Sequence, residues 1–156
     1  MKGKGFVGME FVRLLLVLIL LGRAIYTDVK SKRIENRWLL LFLGFAWLIA
    51  YIQSDLSGLL ESLAKTIIVL VALFVLFVIR GLGAGDIKLC CVLGAFYPKE
   101  ILNIIILAFI VAAVMSIGKM LLRALKKQSM YVPGEIMNFS IPIGIAAAIV
   151  IMHGWI

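Results

Sequence analysis

The chain holds three aspartates, Asp28, Asp55 and Asp86, and two of them stand where a carboxylate is hard to keep. Asp28 closes a long apolar run, and Asp86 opens another, directly after Gly81-Leu82-Gly83-Ala84-Gly85. A charged side chain near hydrocarbon is costly, and those retained there line a polar cavity or carry function. Two such carboxylates brought together can share a single proton, which suits them to acid–base chemistry or to a proton relay. Three glycines in the five positions before Asp86 disfavour regular helix. Irregular backbone at membrane depth is tolerated only where protein or a cavity surrounds it, and glycines let a substrate backbone approach closely. The plainer account is that the glycines form a helix-packing surface and Asp86 a helix cap. No G-x-S-x-G pattern offers a serine nucleophile, and the single histidine, His153, reads as an interfacial side chain beside Trp155.

Positioning these carboxylates falls to apolar helices. Of the 156 residues, 64% are hydrophobic and 15% charged, with a mean hydropathy of +1.16. A soluble domain of this length is nearer half apolar and about a quarter charged, and a small globule cannot hide the excess in a core. A soluble enzyme, a disordered tail and a disulfide scaffold are therefore excluded. Lipid is the solvent. A spanning helix takes ~20 residues, which allows at most about six or seven spans. Six apolar windows stand out, at residues 6–26, 38–52, 59–79, 82–97, 101–122 and 139–156. The second and fourth are short, so their ends lie below the membrane surface or borrow flanking residues. The expected architecture is all-α: one polytopic integral membrane helical bundle of about six transmembrane helices, forming a single domain over 1–156. Glu10 and Arg13 interrupt the pattern of a cleaved signal peptide, and Arg23 closes the apolar run where small residues belong, so the first helix is expected to be retained.

The net charge of +8 would suggest nucleic acid in a soluble protein. Here the basic residues lie between apolar runs and read as topology signals, with anionic lipid rather than nucleic acid as partner. Alternate loops carry eleven of them (Arg23, Lys30, Lys32, Arg33, Arg37, Arg80, Lys88, Lys119, Arg123, Lys126 and Lys127) against five (Lys2, Lys4, Arg13, Lys65 and Lys99). The first set is expected in the cytoplasm and both termini outside. Asp28 and Asp86 then approach the bundle from the cytoplasmic side. From Asp86 to Tyr97 the helix would run ~16 Å, leaving Asp86 well inside a hydrocarbon layer ~30 Å thick. Glu61 and Lys65 form an expected i, i+4 pair, and Asn103 and Asn138 are candidates for interhelical hydrogen bonds. Cys90 and Cys91 are adjacent within an apolar stretch and read as packing residues, with no CxxC pair for zinc.

Gly83-Ala84-Gly85-Asp86-Ile87-Lys88 resembles the GxGDxK motif of the type IV prepilin peptidases, which are GxGD membrane aspartyl proteases. That family's other catalytic aspartate is followed, six residues on, by Ile-Pro-Asn; Asp28 is followed at that spacing by Ile34-Glu35-Asn36. Ile141-Pro142-Ile143-Gly144 is similar to the IPxG stretch of the last family helix. The chain is most similar to the short, peptidase-only form, as in tight-adherence pilus systems, so N-methyltransferase activity is not expected. Glu35 departs from the pattern: it lacks proline's fixed φ, which alters the turn after Asp28.

The resemblance implies an aspartic endopeptidase that removes the short basic leader of prepilin-like proteins at the cytoplasmic membrane face. Asp28 and Asp86 would be its catalytic dyad. Gly83 and Gly85 would bring backbone near the substrate, while Lys88 would balance the dyad's charge or snorkel to the interface. The run Lys30, Lys32, Arg33 and Arg37 reads as a lipid-facing signal, since a basic leader would not be drawn to it. Neither a metal nor an organic cofactor is called for. The alternative is a non-catalytic bundle, such as a small proton-coupled carrier or a pilus-assembly scaffold. A presenilin-like protease, which shares GxGD, is disfavoured by the span count. Oligomeric state, the particular prepilin and its cleavage position are left open.

Overall fold

A computed structural model describes residues 3–79, 81–125 and 139–153. Lys2, Arg80, Lys126, Lys127, the Tyr131–Glu135 stretch, Asn138 and Trp155 lie outside the described residues. The described chain is all helical, in the order α1 (Gly3–Ser31), α2 (Asn36–Val78), α3 (Ala84–Phe96), α4 (Ile101–Leu125) and α5 (Ser140–His153). Two of these, α2 and α4, are long and apolar enough to cross a membrane, and α5 is a shorter apolar helix.

The helix count departs from the expected six because α2 takes in both the second and third apolar windows. At 1.5 Å per residue its 43 residues would stretch ~65 Å if straight, about twice a bilayer's hydrocarbon thickness. It is not straight. Ser54 and Asp55 leave helical geometry, and Asp55 has φ 53° and ψ −145°. Beyond them the chain doubles back, since a Cβ on Gly58 would meet the Ala50 carbonyl oxygen at 2.5 Å. Residues eight apart on one straight helix would be ~12 Å apart along its axis. Glycine at position 58 is what lets the two arms close up.

The centre of the bundle is α3. Every residue from 89 to 97 is buried, a helix apolar on all sides and enclosed by its neighbours. It packs most extensively against α2, while α4 packs on α5, and α1 touches α2, α3 and α5. Ser62 of α2, fully buried, donates to the Ala95 carbonyl at 2.8 Å, satisfying a polar group in the core. At 13 residues α3 is only ~20 Å long, shorter than the helices around it. Residues 81–86, at and before its N-terminal end, line a recess.

The other end of α3 is locked by a polar cluster. Arg13 of α1 bonds Glu10 at 3.1 Å, reaches Gln53 beside the α2 break, and lies 5.3 Å from the centroid of the Tyr97 ring. Gln53 returns a bond to Glu10 at 3.2 Å. Glu61 and Lys65, by contrast, do not close into an ion pair, and Asn103 is exposed.

Candidate active site

Local structure brings the two carboxylates to the recess by different routes. Asp28 lies in the last turn of α1, which ends where Lys32 adopts φ 53° and donates its N–H to the Asp28 carbonyl at 2.9 Å. That left-handed residue closes the helix and turns the chain toward α2. Asp86 lies in the first turn of α3, three residues after the N-cap Gly83. The Gly83 N–H donates to the Asp86 carboxylate, as the acidic member of a capping box does. A Cβ on Gly83 would stand 3.0 Å from Asp86 Oδ2, so glycine leaves room for the carboxylate to fold back. Gly85 is already helical, contrary to the irregular backbone expected through it, and packs on Ile34.

Asp28 and Asp86 line one cavity of about 1050 Å³, are both half-buried, and act on each other electrostatically. The cavity lining includes basic residues, Lys32, Arg33 and Lys88, and aromatic ones, Phe77, Phe109 and Phe139. Gly83 and Gly85 contribute backbone to its wall. Lys88 is exposed there and donates to Asn36 Oδ1 at 2.9 Å, which ties α3 to the first residue of α2. Asp55 lies apart, at the α2 break. Cys90 and Cys91 are free and buried in the core, and no group of metal-ligating side chains occurs among the described residues.

One residue of the site has no counterpart in the sequence motifs. Ser140, at the start of α5, is fully buried and donates to Asp28 Oδ2 at 2.5 Å. Its only sequence signal is a small polar residue directly before Ile141-Pro142-Ile143-Gly144.

The described residues are all helical, two of their helices are long and apolar enough to cross a membrane, and two carboxylates line one recess, an arrangement that suits a membrane-associated protein. Residues 15–117 match the type IV leader peptidase family, and the chain belongs to that family. It is a type IV leader peptidase-like protease. No curated protein and no solved structure matches the chain.

Proposed function

We propose that this protein is a multi-pass membrane aspartic endopeptidase that cleaves the leader from prepilin-like proteins at the cytoplasmic membrane face. The observation that carries the reading is that Asp28 and Asp86 line one cavity in a chain of the leader peptidase family. Like charges at close quarters favour one shared proton across the pair. The ionised carboxylate takes a proton from water as the oxygen attacks the scissile carbonyl. The protonated carboxylate gives its proton to the carbonyl oxygen. Collapse of the tetrahedral intermediate then returns a proton to the leaving amine. Which aspartate starts as acid is a property of the coupled pair rather than of either residue. This chemistry calls for no cofactor.

Counting the two arms of α2 separately gives six helical segments among the described residues, which supports a six-span topology. The segregation of charge supports the orientation. Lys32, Arg33 and Lys88 of the eleven-member set border the dyad cavity, while Arg13 and Lys99 of the five-member set line a second cavity with Glu10, Gln53 and Glu100. Family membership favours hydrolysis over the carrier or scaffold reading.

The test is co-expression with a candidate prepilin, following leader loss by gel shift. Asp28→Asn and Asp86→Asn are each expected to abolish processing while leaving the protein in the membrane. Unimpaired processing by either variant overturns the dyad.

A further inference from the structure

Among the described residues, the buried serine and threonine hydroxyls are of two kinds. Thr27 bonds back to the carbonyls of Arg23 and Ala24, and Ser62 bonds the Ala95 carbonyl; each satisfies backbone. Ser140 instead spends its hydroxyl on the carboxylate of Asp28, across the contact between α5 and α1. Its own position is fixed. Ser140, Pro142 and Ile143 are fully buried, and the Ile143 N–H bonds the Phe139 carbonyl at 3.2 Å. At the next residue, a Cβ on Gly144 would meet Ile25 Cδ1 at 2.7 Å, so α5 lies close against the α1 turn that carries Asp28.

A carboxylate pair works on a single water only if its oxygens are held within a few tenths of an ångström, by groups whose own rotamers are locked. Asp86 has its anchor in the Gly83 N–H. We infer that Ser140 is the corresponding positioning residue for Asp28: it engages Oδ2 from α5 and leaves Oδ1 facing the cavity, Asp86 and the attacking water. A serine hydroxyl can donate to an ionised carboxylate, more strongly, and also to the carbonyl oxygen of a protonated one, so this role holds whichever aspartate starts as the acid. The inference rests on the dyad reading above and goes beyond its motifs, since it makes the last described helix part of the active site.

Full-length protein, purified and returned to lipid vesicles, is assayed with a prepilin-type substrate as wild type, Ser140→Ala, Ser140→Cys and Asp28→Asn. Ser140→Ala is expected to lower kcat about tenfold or more with KM held within about twofold, the size of losing one hydrogen bond to a charged group. Ser140→Cys keeps the volume but replaces a strong donor with a weak one, so it is expected to fall with alanine. Cysteine behaving as wild type means that only volume matters there, and overturns the inference. So does a kcat for Ser140→Ala near wild type, or a defect confined to KM. A lowered thermal midpoint with unchanged kcat per folded molecule does the same. If Asp28→Asn is inactive while Ser140→Ala is not impaired, the inference alone falls. If Asp28→Asn cleaves normally, or wild type does not cleave at all, the dyad reading falls and takes the inference with it.

Discussion

Glu35 stands where the resembled motif has proline, yet its backbone, φ −69° and ψ 120°, is one a proline ring adopts without change. The turn after Asp28 is thus one that proline would also allow, and the Glu35 side chain makes a contact of its own. It pairs with Arg23 at 3.8 Å, while Arg23 lies 4.9 Å from the Trp38 ring centroid. Both partners are about half exposed, and such pairs contribute at most about 1 kcal/mol. Glu35→Pro is accordingly expected to fold and to retain most cleavage activity, measured by the same gel shift. Gly83→Ala is expected to behave in the opposite way. Its φ of −74° admits alanine, but the new Cβ crowds Asp86 Oδ2, so the cleavage rate should drop severalfold with little change in thermal midpoint. Asp28, Asp86 and Gly83 were legible because chemistry and motif spacing mark them. Ser140 was not, because its partner lies on the first helix, far away in sequence, and no local pattern relates a serine to such a carboxylate.

At the scale of elements, hydropathy located the apolar helices well, because polar or glycine-containing breaks bound each apolar run. It did not reveal how the second and third windows are joined. The stretch Gln53-Ser54-Asp55-Leu56-Ser57-Gly58 reads as a polar break, and the structure narrows the true break to Ser54 and Asp55. Gly58 is the residue that this reversal requires. Gly58→Ala would drive a Cβ into backbone oxygen and into Ser54 Cβ, 2.7 Å away, where no flexible side chain can yield. Overpacking of this kind costs roughly 1–3 kcal/mol, so the variant should unfold at a lower temperature in detergent or lipid than wild type. Arg13→Ala is expected to destabilise as well, because Glu10 and Gln53 lose their shared partner beside the same break. The shortness of α3 was visible in the sequence as a short window. That a recess opens at Asp86 follows only once the helices are packed together.

The whole molecule turns its apolar side chains outward: Leu40, Val71, Val78, Leu102, Val114 and Leu125 are all more than 60% exposed. Burying a residue of this kind is worth about 1.5–3 kcal/mol, so dozens left in water would outweigh any fold of this size. The protein should stay in the membrane fraction after alkaline extraction and need detergent for release. The proposed orientation has its own test. Cys90 and Cys91 are buried, which gives a quiet background for labelling with a membrane-impermeant thiol reagent. In intact cells Lys99→Cys should label and Arg33→Cys should not; the reverse pattern would invert the topology. Between the cavity at Asp86 and the one around Arg13 lies the tightly packed run of α3, with Leu89, Leu93 and Phe96 almost wholly shielded. On the proposed topology that run is an insulator. Hydrolysis draws its water from one side alone, and a cell can keep this protease in an energised membrane without opening a leak for protons.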